Sequence, residues 1–296
     1  MVLLDSTPIS NYERNSYMKA AFTLTPAESK RLIAKGVINS EEFKNASSNA
    51  RVIVLSGTTN AYIAQELGID VRPERSSAGI NSKGVLCVTD PEQREKFPIV
   101  LDKGQRVEKT LTEALEENFQ PGTLIIKGGN AIDSEGNVGV ITAGFDGGNV
   151  ARFIGTATSQ GLKVMFAVGM EKTVASVQES CKAAGARTID YSMGADFGMY
   201  FFPNPSKVTE LDALRILTGV KAIHVASGGF GGSEGAVTLI AEGNKEEINN
   251  AIDLVSQIKG EPPMPSSKGD CKNSCRYFRC AYHGKENHEL PQWLRN

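Results

Sequence analysis

The chain has 296 residues, of which 40% are hydrophobic and 22% charged, and a formal net charge of -2. That is enough apolar material for one large or two modest globular domains, which excludes a disordered or fibrous chain. The near-balanced charge lacks the basic excess of a nucleic-acid binder, and no stretch approaches the roughly 18 apolar residues of a membrane helix.

Residues 1–24 read as a leading segment of low regularity, with too few apolar residues before Asp5 for a signal-peptide core, so the expected location is cytoplasmic. "TPAESKRLIAKGV" follows as a helix with Thr25 as N-cap, Pro26 in the first turn, Glu28 as capping-box partner and Gly36 as the stop. A short helix is expected from Ser40. "ARVIVLSG" is then a buried strand, apolar at every position from Val52 to Leu55, as a parallel strand covered on both faces should be.

From there strands and helices alternate. "NAYIAQELG" is a helix closed by Gly68, "KGVLCVTD" a strand, "RVEKTLTEALEENF" a helix, and "GTLIIKGGNAID" a strand entering a glycine turn. "NVARFIGTATSQG", "KVMFAVG", "KTVASVQESCKAAG" and "RTIDYS" continue as helix, strand, helix and strand. This order predicts an α/β fold, a mostly parallel Rossmann-like sheet with helices on both faces, over residues 25–200. After the irregular "MGADFGMYFFPNPS", an α-β-β-α order over 201–260 predicts a smaller α+β unit, ferredoxin-like with a further strand at either end. Residues 261–296 read as a linker and a Cys/His-rich tail.

The chemistry is expected where parallel strands end. Ser56, Gly57, Thr58, Thr59 and Asn60 form a turn between a strand and a helix, where backbone N–H groups and the helix dipole favour an anion. The turn either gathers its hydroxyls round a ligand or uses Ser56 or Thr58 only to cap the helix. Lys127 ends the next apolar strand and leads into Gly128, Gly129, Asn130 and Asp133. It can pair with an anionic substrate, act as a base if desolvated, or reach past the core to solvent. Asp133 fits either acid/base work or the capping of its own turn. Glu135, Asp146 and the glycine turn from Gly144 to Gly148 complete the candidate surface.

"VIVLSGTTNAYIAQEL" resembles the strand, glycine-hydroxyl turn and helix of the ribose-5-phosphate isomerase, DeoR-type sensor and CoA-transferase superfamily. "TLIIKGGNAIDSEGNVG" is similar to the superfamily's second strand and acidic turn. "GNVARFIGTATSQGLKVMFAVG" resembles the methylthioribose-1-phosphate isomerase and initiation-factor exchange-subunit branch. The likeness covers residues 25–192. It implies a small anionic metabolite, phosphorylated or carboxylated, held at Ser56 to Asn60 and faced by Lys127, Asn130 and Asp133, in a homo-oligomer. Asn130 stands where those isomerases carry an acidic residue, and an amide neither takes nor gives the proton of aldose–ketose isomerisation. A metabolite sensor or assembly subunit is the non-catalytic alternative that the superfamily also implies.

Two features lie outside this scheme. "SGGFGGSEG" joins two strands and does not match a dinucleotide fingerprint, so no nicotinamide cofactor is expected; Gly229, Phe230 and Gly231 read as a hairpin tip or a lid. Three of the five Cys and two of the three His fall between residues 271 and 288. Cys271, Cys275, Cys280 and His283 would suit zinc or, with three thiolates, an iron–sulfur cluster, with His288 as a substitute ligand. Thiol redox chemistry and a purely structural tail are the alternatives. Cys87, in a strand, and Cys181, in a helix, read as buried small hydrophobes.

Overall fold

The computed structural model describes residues 17–116, 122–265 and 268–295. The chain starts with β1 (Met18–Leu24), α1 (Pro26–Asn39), α2 (Glu41–Asn49), β2 (Arg51–Val54) and α3 (Thr58–Glu66). The hairpins β3 (Gly79–Ser82) with β4 (Val85–Val88), and β5 (Ile99–Asp102) with β6 (Gln105–Val107), precede α4 (Leu111–Glu116). The rest of the helix expected there, 117–119, lies outside the described residues.

β7 (Leu124–Gly128), β8 (Ala131–Ile132), β9 (Val138–Thr142), α5 (Gly148–Gln160), β10 (Lys163–Ala167) and α6 (Val177–Ala183) follow. The described chain closes its regular structure with β11 (Gly198–Phe202), β12 (Ser206–Val208), α7 (Glu210–Thr218), β13 (Lys221–Ser227), β14 (Val237–Gly243) and α8 (Lys245–Ile258).

The fold is mixed α/β, built on a mixed sheet in the order β12-β10-β7-β2-β5-β6. The pairs β12/β10, β10/β7 and β7/β2 are parallel, whereas β2/β5 and β5/β6 are antiparallel. "KGVLCVTD", expected within the parallel rhythm, instead supplies β4 of a separate antiparallel hairpin. "RTIDYS" is irregular, and the aromatic stretch expected to be irregular supplies β11, antiparallel to β9.

Strand alternation distributes the central side chains to two faces. Val52 and Val54 join Leu124, Ile126 and Met165 under α1, α3 and α7, while Ile53 and Leu55 join Ile125 and Phe166 under α4 and α5. That is why β2, β7 and β10 are apolar at successive positions: each residue faces one of two cores.

α1 begins with the expected reciprocal capping box between Thr25 and Glu28. Gly36 does not stop the helix. It lies inside α1 at its crossing with α7, where a Cβ would stand 2.5 Å from the Ala213 Cβ. The helix runs three residues further, to Asn39, and Ser40 caps α2 through Phe43 N–H.

Residues 1–16 of the leading segment lie outside the described residues, and the remainder is more regular than expected. β1 pairs with β14 over its whole length, and β14 with β13, giving a three-stranded antiparallel sheet. β14 alternates buried and half-buried residues, with Val237, Leu239 and Ala241 turned to α7 and α8. The third strand of this sheet, β1, comes from before the mixed sheet in sequence. Among the described residues no helix is long and apolar enough to cross a membrane.

Candidate functional site

β2, β7, β10 and β12 run parallel, so their carboxyl ends gather at one edge of the sheet. Asn60 fixes part of that edge. Fully buried, it donates from Nδ2 to the Leu55 carbonyl at 2.7 Å and the Ile126 carbonyl at 3.1 Å, clasping the ends of β2 and β7 together. Its Nδ2 donors are therefore taken by the scaffold, while its buried Oδ1 has no hydrogen-bond partner among the described residues.

Gly57 turns the chain at a φ of 157°, a conformation that a side chain would strain, and its N–H is taken by the Ser76 carbonyl at 2.7 Å. Among the described residues no side chain caps α3, so neither Ser56 nor Thr58 performs that role. The first intrahelical bond is Ala61 N–H to Gly57 C=O, at 3.0 Å. Thr58, Thr59 and Asn60 are thus the first-turn residues whose N–H groups point out of the helix start. Ser56 and Thr58 are half-buried, and Thr59 is buried. The Ser56 hydroxyl accepts from Asn149 Nδ2 at 3.0 Å, which ties the start of α5 to the same turn.

Lys127 brings charge to this turn. Its Nζ stands 3.5 Å from the Ser56 carbonyl, and no carboxylate opposes it among the described residues. Desolvation pushes its pKa down to about 8, and the neighbouring Lys172 charge pushes the same way. Beyond it, Gly129 is packed so tightly that a Cβ would lie 2.8 Å from Val138 and 3.0 Å from Val168, whereas Gly128 is half-exposed at the rim.

The two polar residues that follow serve the fold. Asn130 accepts from Ile141 N–H through Oδ1 at 3.0 Å. Asp133 accepts from Glu135 N–H, Asn137 N–H, Asn137 Nδ2 and Val177 N–H, all within 3.1 Å. Burial alone would raise its pKa, but these donors outweigh it and hold the carboxyl below the usual range. Four donors occupy both oxygens, so Asp133 holds the turn and the start of α6 and has no free lone pair for proton transfer.

The structure adds residues that local sequence did not single out. β10 runs out into Glu171 and Lys172, β12 into Glu210, and Lys30 comes across from α1. Glu171 pairs with Lys172 at 3.1 Å and with Lys30 at 3.8 Å. Burial opposes its ionisation, but Lys172 and Lys30 prevail and lower its pKa. Lys30 is buried and its pKa falls to about 8, through desolvation first and then the Lys172 charge. Glu210, fully buried, accepts from Met170 N–H at 2.9 Å; burial and then the Glu171 charge raise its pKa to about 7. An apolar strand ending in a charged pair, "KVMFAVGMEK", is the sequence signal that marks Glu171 and Lys172.

Glu210 carries a testable pH effect. Its folded pKa lies above the ordinary value of 4.5, so its contribution to stability is present below pH 4.5 and is lost as pH rises through about 7. The Glu210→Gln variant, fixed in the neutral state, is expected to match the parent's melting temperature near pH 4.5 and to exceed it increasingly toward pH 8. Parallel melting curves across that range that stay superimposed would refute the assignment.

Two glycine turns frame this edge. Phe230 is 89% exposed at the tip between Gly229 and Gly231, and a Cβ added at Gly235, at the root of that loop, would stand 4.0 Å from the Glu171 Cβ. Phe145 is 100% exposed in the turn that precedes α5.

The tail residues are elsewhere, against β4. Cys271 is buried and Cys275 and Cys280 are half-buried, all as free thiols. His283 has a buried Nδ1 with no hydrogen-bond partner among the described residues. Among the described residues no three His, Cys, Asp or Glu side chains stand in metal-holding geometry. The chain matches no protein-family model, no curated protein and no solved structure.

Proposed function

We propose that the chain is an enzyme acting on a small anionic metabolite, phosphorylated or carboxylated, at the carboxyl edge of β2, β7 and β10. In this reading the parallel strands act as a Rossmann-like half-sheet and the protein works as a homo-oligomer in the cytoplasm. The supporting observation is an uncompensated charge: among the described residues Lys127 meets no carboxylate, whereas Lys30 and Lys172 share Glu171. A half-buried ammonium without a counter-ion is costly, and an anion at the start of α3 would supply the missing charge.

Lys127 is the group assigned to meet the substrate, as a cation when protonated and as a base in its amine form. Isomerase-like and transferase-like chemistry both remain within this assignment. Asn130 and Asp133, both engaged by backbone groups, favour a second reading: a sensor or assembly subunit that binds the metabolite without turnover.

Thermal melting with inorganic phosphate, a pentose phosphate and succinate tests the site. A bound anion is expected to stabilise the fold by about 2.7 kcal/mol at roughly 100 times its Kd. Incubation with a metabolite extract, read by mass spectrometry, separates the two readings: a consumed anionic species supports the enzyme, and stabilisation without consumption supports the sensor. No stabilisation and no consumption would overturn both.

A further inference from the structure

The C-terminal tail has little regular backbone structure, yet it is fixed at several points. Gly269 N–H donates to the Val88 carbonyl at 2.8 Å, beside the Thr89/Lys268 bridge. Ala281 N–H donates to the Ser192 carbonyl at 3.1 Å, and Ala195 N–H to the Leu86 carbonyl at 2.8 Å. These bonds draw β4, the segment 192–195 and the tail together around one residue, Cys87, which lies between Leu86 and Val88.

The thiols follow the backbone. Cys271 is buried with Val85, Tyr282, Leu290 and Leu294, and Cys87 and Cys280 pack against that cluster. Cys87 lies within electrostatic reach of Cys271 and Cys280, and Cys275 within reach of Cys280, Cys87 and Cys271. Cys280 Sγ accepts from Tyr282 N–H at 3.4 Å, and Lys268 Nζ stands 3.6 Å from Cys271 Sγ.

We propose that Cys87, Cys271, Cys275 and Cys280 form a four-thiolate site for a thiophilic metal, zinc or the iron of a cluster, which staples the β3–β4 hairpin to the tail. The set differs from the one the tail's spacing suggests, because Cys87 takes the place of His283. Four soft donors suit tetrahedral zinc or iron. For a divalent ion the balance is four thiols and one M²⁺ giving a complex of charge 2− and four released protons, with Lys268 placed to offset part of that charge. As placed, no three of these thiols stand in metal-holding geometry among the described residues, so binding requires the four sulfurs to draw together. The physical need is clear, since a cluster of five buried side chains is small support for an irregular tail.

The test is elemental analysis of the full chain purified without oxygen, alongside the Cys87→Ser, His283→Gln and Cys181→Ser variants. Bound zinc or iron is expected in the parent at about one equivalent per site, retained in His283→Gln and Cys181→Ser and reduced at least about fivefold in Cys87→Ser. Parent protein with less than about 0.2 equivalents of either metal overturns the proposal. So does a Cys87→Ser variant that keeps its metal. Where Cys87→Ser does not fold, the cobalt-substituted parent decides: sulfur-to-cobalt charge-transfer absorption of a four-thiolate centre supports the site, and that of three thiolates with one imidazole overturns it.

Discussion

Replacing Lys127 with methionine is expected to weaken anion binding about 100-fold while raising the melting temperature. The first effect follows from removing a charge-assisted contact in a half-buried site, worth about 3 kcal/mol, or two decades at 1.4 kcal/mol each. The second follows because the ammonium has no carboxylate partner among the described residues and Lys172 repels it, so its loss relieves the folded state by on the order of 1 kcal/mol. Opposite signs for binding and stability separate a functional lysine from one that supports the fold. The pH dependence carries the same sign: affinity should be level below pH 8 and fall as Lys127 loses its proton above about 8. Calorimetric titration with the anion selected by the melting screen, repeated from pH 6.5 to 9.5, gives both quantities. Methionine at 127 with unchanged affinity would remove Lys127 from the site.

The Gly36→Ala substitution sets two simple rules against each other. Helix propensity alone favours alanine in the interior of α1 by about 1 kcal/mol. Packing opposes it, because the new methyl carbon would lie 2.5 Å from the Ala213 Cβ and 2.7 Å from its Cα. Those atoms have no rotamer with which to retreat, so α1 and α7 must separate, at an overpacking cost of about 3 kcal/mol. The net expectation is a loss of about 2 kcal/mol, seen as a lower urea midpoint at an unchanged slope. Ala213→Gly should return part of that loss in the double variant, since it removes one of the two close atoms. A more stable Gly36→Ala protein would mean that the helix pair adjusts at no cost.

These two residues also show how much of the molecule was legible in its sequence. Lys127 was legible because an apolar run ending in a charge at a glycine turn is a local pattern, and the strand delivers that charge to the carboxyl edge. Thr25 and Glu28 were legible for the same reason, since a capping box is complete within one helical turn. Gly36 was misread as a stop because the sequence near it says nothing of Ala213. β1 read as irregular because its partner, β14, is more than two hundred residues away. Lys30, Glu171 and Glu210 each lie on a different element, and only the crossing of α1 and α7 over the sheet brings them together. In the tail, spacing found three thiols, while Cys87 arrives from a hairpin whose register no local pattern encodes.

The pairing of β1 with β14 also has a consequence for synthesis on the ribosome. Met18–Leu24 can find its hydrogen-bond partners only after Val237–Gly243 has emerged. Throughout translation of the mixed sheet, Phe22 and Leu24 must therefore wait without the strand that covers them. Contacts of such long sequence separation are slow to form, and an unpaired strand edge invites pairing with other chains. Nascent chains released before residue 237 should accordingly aggregate, whereas chains that extend past residue 258 gain β14 and α8 together and close that edge.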